Sequence, residues 1–333
     1  MNSVIKTCDK IKSDEILYDA KIGKKEKPWR EKKVKSLVLV DSYNRLDMDR
    51  KAGRVSDCGT FLEFKRLPDG QLKLNKANFC KVRLCPMCAW RRELKIFGQV
   101  SQVMDYALQE RDYRFLFLTL TCRNVPGEKL GRTIDQLMHA YKKFTERKQV
   151  KKSIKGWFRA LEITHNVNRK SSSFNTFHPH FHVILMVNKS YFDESGYYLS
   201  QKKWTSLWRE SMRLDYTPIV DVRTFKAKTK EQTAKSVAEV AKYTVKDSDY
   251  LLDDDPRLTD KTVAVLDTAL ANRRLVAFGG RLKEIHKLLA LGDATDGDLI
   301  HTDNEELRED VEYIIERYQW HIGYRQYFRM KED

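Results

Sequence analysis

The chain has no apolar run near the roughly 20 residues needed to span a bilayer. Its opening, MNSVIKTCDKIKSDE, holds no apolar segment of signal-peptide length. Glycine and proline are scarce, at 14 and 7 of 333 residues, which excludes collagen-like and low-complexity chains. Cysteine is scarce as well, with 6 residues, so the chain is not a secreted disulfide scaffold. The expectation is a globular cytoplasmic protein with no membrane partner, long enough for two domains and a real core.

Negative charge is also in deficit. Lys+Arg number 63 against 47 Asp+Glu, a formal charge of +16. The excess is segregated along the chain. Residues 1–160 carry 37 basic and 19 acidic side chains, residues 161–250 carry 14 and 10, and residues 251–333 carry 12 and 18. Solubility alone does not require the sign to segregate, so the leading partner is a polyanion, and nucleic acid stands ahead of a membrane surface.

Four segments follow from pattern. Residues 1–50 read as a charged N-terminal arm, with KIGKKEKPWREKKVK (21–35) flexible or loosely packed. Residues 51–110 form a cysteine-bearing, DNA-binding module. Residues 111–250 alternate strands and helices, and residues 251–333 read as an acidic helical C-terminal segment. Within 111–250, Tyr113–Cys122 is an aromatic, β-branched strand, and residues 130–150 carry apolar side chains at helical spacing. Strands follow at Trp157–His165, Pro179–Val187 and Pro218–Phe225, with helices over 200–214 and 231–247. The order β-α-β-β-α-β-α predicts an α+β sandwich with a central antiparallel sheet of the ferredoxin-like (RRM-like) type, helices covering one face.

The densest group of ligand-type side chains is His178-Pro179-His180-Phe181-His182. Strand side chains alternate, so His180 and His182 share a face while Phe181, Val183 and Leu185 enter the core. Glu162, between Leu161 and Ile163, joins that face if the two strands pair across the 166–176 loop. Two histidines and one carboxylate with open positions suit a divalent cation that also touches substrate. His165 and His178 compete with Glu162 as third ligand, and a one-residue slip in register would turn Glu162 away.

A second group lies in Glu239-Val240-Ala241-Lys242-Tyr243-Thr244-Val245-Lys246. On a helix Glu239 and Tyr243 lie side by side, and Lys246 reaches the same face. A phenol has a pKa of about 10 and attacks poorly unless a cation or base helps it ionise. A carboxylate beside it is placed to activate water. Taken alone, tyrosine at helical spacing is ordinary core. Four cysteines, Cys58, Cys80, Cys85 and Cys88, fall within 31 residues, a spacing suited to tetrahedral zinc. Between them Pro68-Asp69-Gly70-Gln71 reads as a hairpin turn. Lys81, Arg83, Arg91, Arg92 and Lys95 nearby suggest contact with DNA phosphates. Cys8 and Cys122 are left over.

Three blocks occur in a telling order: Phe117-Leu118-Thr119-Leu120-Thr121, His178-Pro179-His180-Phe181-His182-Val183, and EVAKYTVKDSDY from Glu239 to Tyr250. Together they resemble the rolling-circle replication initiators of small Gram-positive plasmids, within the HUH endonuclease superfamily. The resemblance covers about residues 55–250 and includes the upstream cysteines. It implies an HUH endonuclease domain preceded by a small zinc-binding module, with Mg²⁺ or Mn²⁺ held by His180, His182 and a carboxylate. It implies that Tyr243 attacks single-stranded origin DNA to form a 5′-phosphotyrosine, leaving a 3′ hydroxyl that primes synthesis. Glu239 would then activate water for the terminating cleavage, and Lys246 stands in the Y-x-x-K spacing. Tyr250 is the alternative nucleophile. A relaxase or transposase of the superfamily would use the same chemistry, and a non-catalytic zinc-containing DNA-binding regulator would share the charge and the cysteines. The helix at 89–110 and residues 200–230 are candidate readers of duplex DNA. Host helicase and polymerase are expected partners, and the acidic tail is a candidate surface for dimerisation or helicase recruitment.

Overall fold

A computed structural model describes residues 15–22, 25–193, 196–224, 237, 245–252, 254–293, 295, 297–302 and 312–331. The described residues form a mixed α+β architecture with eight helices and two sizeable antiparallel sheets.

The first part of the chain builds a short hairpin, β1 (Ala20–Ile22) and β2 (Lys25–Lys27), then helices α1 (Trp29–Arg45) and α2 (Asp49–Asp57). Strands β3 (Phe61–Arg66) and β4 (Leu72–Ala77) and the long helix α3 (Pro86–Glu110) follow. The turn joining β3 to β4 is the one expected at 68–71: Gly70 has φ +80°, a conformation that glycine adopts without steric cost. The middle of the chain comprises β5 (Tyr113–Leu120), α4 (Gly127–Glu146), α5 (Lys148–Ser153), β6 (Ile154–His165), β7 (Phe177–Asn188), α6 (Gln201–Met212) and β8 (Val220–Thr224). The last part supplies α7 (Pro256–Leu270), β9 (Val276–Gly280), α8 (Arg281–Leu288), β10 (Ile314–His321) and β11 (Gln326–Arg329).

The larger sheet runs β8-β5-β7-β6-β9, every neighbouring pair antiparallel. Because β5 and β6 both pair antiparallel with β7, they run parallel to each other, and the chain between them crosses over through α4 and α5. The expected β-α-β-β-α-β order is therefore present, with the second crossover through α6. The predicted helix over 231–247 lies mostly outside the described residues.

Alternation along the strands sorts the core into two layers. Leu116, Leu118, Leu161, Ile163, Phe181, Val183 and Leu185 pack under α4 and α6, which contribute Leu137, Tyr141, Phe144, Trp204 and Trp208. Phe115, Phe117, Phe158, Ile184 and Met186 on the opposite face pack against Val100, Val103 and Met104 of α3 and Leu282 and Ile285 of α8. Helices thus cover both faces, not one as expected. Glu162, His180 and His182 stand on this second face, Glu162 near the end of β6 and the histidines near the start of β7. The close approach of α8 depends on Gly156, where a Cβ would sit 2.7 Å from the Leu282 nitrogen.

Two sequence expectations are corrected. The supposed N-terminal arm contains the whole of α1, whose Trp29, inside the stretch expected to be loose, is 3% exposed and packs edge-on against Phe64 and Trp90, with ring centroids 5.4 and 4.7 Å away. The 251–333 segment is not a helical appendage. Its β9 closes one edge of the larger sheet, and its β10 pairs with β3, and its β11 with β10, in a second sheet ordered β11-β10-β3-β4. No helix among the described residues is long and apolar enough to cross a membrane.

Phe144 is fully buried and touches Tyr141, Trp204 and Trp208. Phe144→Ala is expected to cost about 3–5 kcal/mol in urea unfolding followed by circular dichroism.

Candidate metal centre and catalytic site

The pairing of β6 with β7 decides the first cluster. Glu162 lies directly opposite His180, and His182 lies opposite Ala160 on one side and Thr119 of β5 on the other. The three ligand-type side chains therefore share one face, as the unslipped register requires. A break in pairing occurs between Ile154 and Gly156, at the far end of β6.

The two imidazole Nε2 atoms are 3.2 Å apart. A carboxylate oxygen of Glu162 lies 2.7 Å from Nε2 of His182 and 3.7 Å from Nε2 of His180. Three donors about 2.1 Å from one cation sit at comparable separations, so the group fits a metal ion without rearrangement. The rings are aimed by their other nitrogens. Nδ1 of His180 donates to the carbonyl of His178 at 3.0 Å, which leaves Nε2 as the acceptor facing the cluster. Nδ1 of His182 lies 3.4 Å from the Thr119 hydroxyl, and the ring stacks on Phe117. Burial alone would raise the Glu162 carboxyl, but the two imidazoles beside it outweigh that and hold it well below the usual carboxylate range. All three side chains are largely buried, keeping 10–15% of their surface exposed.

Neither competing ligand joins the group. His178 stacks its ring on His180, centroids 5.0 Å apart, and burial lowers its pKa. His165 is on the opposite face of β6. It is stacked on Phe177, with one nitrogen 2.9 Å from the carbonyl of Asp249 and the other 3.0 Å from Asn175 Oδ1.

The second cluster is closed. Cys58 follows α2, Cys80 follows β4, and Cys85 and Cys88 begin α3, where Pro86 occupies a position that needs no amide donor. The sulfur separations Cys58–Cys88, Cys58–Cys85 and Cys80–Cys88 are 3.5, 3.6 and 3.7 Å. Four thiolates at about 2.3 Å from a tetrahedral ion would be roughly 3.8 Å apart, so this set also fits a metal. Backbone amides of Cys80, Lys81 and Val82 point at the sulfurs at 3.3–3.4 Å, and Lys81 takes φ +57° to allow it. The buried ammonium of Lys33 donates to the carbonyls of Ser56 and Cys58. Nothing in the spacing of α1 marked Lys33 for this role. Cys122 stands apart, its thiol pushed up to about 12 by burial. Cys8 lies outside the described residues.

The expected phosphate contacts divide. Lys81 is exposed and Arg83 half-buried. Arg91, Arg92 and Lys95 are buried, at 6%, 0% and 7% exposure, and are corrected as DNA ligands. Arg91 donates to the carbonyls of Leu299 and Ile300, Arg92 to those of Thr295 and Lys81, and Lys95 to that of Asp298. Their charges tie the 295–302 loop to α3 and are turned away from the surface.

Glu239 and Tyr243 lie outside the described residues. Their flanks do not. Val237 is buried in the layer that contains Ile184 and Met186, on the same sheet face as His180 and His182. Lys246 is exposed. Tyr250, the alternative nucleophile, is 1% exposed and donates its hydroxyl to the carbonyl of Leu84, so it is in no position to meet a phosphate.

Residues 71–328 match the family model described as replication protein. This chain belongs to the replication protein family. A "Protein rep" of Bacillus amyloliquefaciens is 43% identical over 339 residues, covering 94% of this chain and 96% of that protein. Proteins of the same name from Streptococcus pneumoniae and Lentilactobacillus hilgardii are 40% and 39% identical, covering 90% and 95% of this chain and 92% and 99% of their own lengths. No solved structure matches the chain. The resemblance to plasmid replication initiators read from the sequence is borne out by these matches.

His182→Ala is expected to abolish divalent-ion binding at the strand site in calorimetry while leaving the metal content of the cysteine cluster unchanged.

Proposed function

We propose that this replication protein initiates rolling-circle copying of a plasmid by nicking one DNA strand at the origin. The observation that carries the reading is the Glu162, His180 and His182 group, whose ligand atoms all lie within 4.8 Å of one another, in a chain whose Glu239, Tyr243 and Lys246 follow in the order and spacing of the initiators. The strand order of the larger sheet is that of a ferredoxin-like sandwich, which supports an HUH endonuclease fold. The formal charge of +16 supports DNA as the substrate.

In this reading His180, His182 and Glu162 hold Mg²⁺ or Mn²⁺, and the four cysteines hold structural zinc. The divalent ion, when bound, supplies Lewis-acid polarisation of the scissile phosphate. Tyr243 attacks the phosphorus through its phenolic oxygen. The bond from phosphorus to the 3′ oxygen breaks, and that oxygen takes up a proton. The enzyme is left joined to the 5′ phosphate, and the free 3′ hydroxyl primes synthesis. Lys246 lowers the cost of ionising the phenol. Glu239 accepts a proton from water in the terminating cleavage. The DNA must be single-stranded at the nick, and host helicase and polymerase complete the cycle in the cytoplasm. A homodimer is compatible with this scheme, and a relaxase or transposase would share its chemistry. A regulator without catalysis would form no adduct.

The test is incubation with a labelled single-stranded origin oligonucleotide and Mn²⁺ or Mg²⁺. The wild-type protein is expected to give a covalent protein–DNA band, which Tyr243→Phe loses. Glu239→Ala is expected to nick at near wild-type rate but fail at termination. A covalent band from Tyr243→Phe would refute the assignment of the nucleophile. Elemental analysis is expected to return one zinc per chain, lost in Cys85→Ser together with a lower melting temperature.

A further inference from the structure

The second sheet has two unlike faces. Leu62, Phe64, Tyr318, Trp320 and Tyr327 point inward and are buried in the main core. Side chains alternate along a strand, and the register puts Lys65, Lys73, Lys76 and Arg317 on the other face, with His321 and Phe328 at its far end. The side chains of Lys76 and Arg317 are 69% and 45% exposed. Glu63 is the acid among these strand positions. It is 3% exposed, accepts from Asn75 and Arg317, and lies 3.5 Å from Lys76. Positive charge is therefore in surplus, although the C-terminal segment that supplies β10 and β11 is acidic as a whole. Lys65 and Lys73 lie directly opposite each other across β3 and β4. Like charges so placed work against strand pairing, and an anion lying across them relieves the repulsion.

Aromatic rings stand at both ends of this charge. Near the turn joining β10 to β11, the ring centroids of His321 and Tyr324 are 4.7 Å apart, and those of Tyr324 and Phe328 are 5.7 Å apart. The Tyr324 amide donates to Nδ1 of His321 at 3.3 Å, and the carbonyl of Arg325 accepts from Arg30 of α1, so the turn is held in shape. Tyr324 is nevertheless 61% exposed. Just before β10, Tyr313 is 47% exposed, and the Lys65 ammonium lies 4.4 Å from its ring centre. The extended chain from Tyr313 to His321 spans about 26 Å, room for several nucleotides.

We propose that this outward face binds single-stranded DNA, with bases stacked on Tyr313 and on the Tyr324 and Phe328 rings and phosphates lying along the cations between them. The charge selects a polyanion, and the rings select unpaired bases. Base pairs inside a duplex stack on one another and offer no free face to a tyrosine, whereas every unpaired base has one. Two copies of the face would meet with like charge, which opposes self-association through it. The surface holds the strand and takes no part in cleavage. The inference rests on the reading that this replication protein acts on DNA, and is independent of which group attacks the phosphate.

The experiment compares wild-type protein with Tyr313→Ala/Tyr324→Ala and with Lys65→Gln/Lys76→Gln. Fluorescence anisotropy with no divalent ion added reads the affinity for a labelled oligo(dT) of about 16 nucleotides and for a duplex of the same length. The aromatic variant is expected to lose about thirty-fold or more in oligo(dT) affinity while duplex affinity stays within about two-fold. The lysine variant is expected to flatten the salt dependence of oligo(dT) binding by about 1.4 in log–log slope, about 0.7 for each lost phosphate contact. An oligonucleotide carrying 5-iododeoxyuridine, irradiated with the wild-type protein, is expected to crosslink to peptides containing Tyr313, Tyr324 or Phe328, a readout that needs no variant to fold. Unchanged oligo(dT) affinity in the aromatic variant, an equal loss for the duplex, or crosslinks confined to other segments would overturn the proposal. So would a sedimentation shift showing that the aromatic variant loses self-association with its oligo(dT) affinity intact, since the face would then join copies of the chain. Covalent adduct formation on the origin oligonucleotide separates the two readings: nicking with binding unchanged sinks the strand-binding face alone, and the binding losses without nicking sink the catalytic reading alone.

Discussion

The pairing of Glu162 with His180 across β6 and β7 is the constraint on which the rest depends. Side chains alternate along a strand, so a slip of one residue would bury the carboxylate among Phe181 and Val183 and leave two imidazoles without a negative partner. The apolar sets on both sides of the sheet penalise such a slip at several positions at once. Leu161 and Ile163 would leave the layer under α4 as Glu162 entered it. The geometry of the candidate metal site is thus secured by packing on the face opposite to it.

The protein uses buried charge to an unusual extent around the cysteine cluster. Lys33 and Arg92 are fully buried. Lys33 spends its donors on carbonyls at the C-terminal end of α2, and Arg92 spends its own on carbonyls of loops. The second sheet does the same with acids: Glu316, 2% exposed, accepts two bonds from Arg66, one from the Tyr318 hydroxyl, and lies 3.0 Å from Arg329. Removing one partner of such a group leaves the other buried and unsatisfied, which costs more than the bond itself contributes.

That habit explains how far the sequence could be read. The strands and helices of 113–224 were legible because their apolar residues keep periods of 2 and 3.6, and the His and Cys groups because ligand-type residues stand close together in the chain. The pairing of Glu162 with the histidines needed the register, which a sequence does not print. Helix α1 was hidden because Lys33 and Ser36 occupy positions on its buried face where apolar residues mark most helices. Strand β10, Ile-Ile-Glu-Arg-Tyr-Gln-Trp-His, was hidden because its inward face begins with Glu316. Arg91, Arg92 and Lys95 looked like a phosphate-binding surface for the same reason: charge in a sequence does not say whether its partner is a solvent ion, a nucleic acid or a carbonyl of the same chain. Tyr243 and Glu239 carried a signal of spacing alone, and their neighbours Val237 and Val245 are the nearest described residues.

The second sheet has a consequence for biosynthesis. Strand β3 emerges from the ribosome with β4 as its neighbour, but its other edge finds β10 only when a residue about 250 positions further on has been made, as the Arg66–Glu316 contact measures. Until then that edge presents unpaired amides and carbonyls, a template for wrong partners. The four sulfurs fall within 31 residues and are translated long before β10. Their loop closes at small entropic cost, so ion capture by the young chain would give the hairpin a fixed shape during the wait.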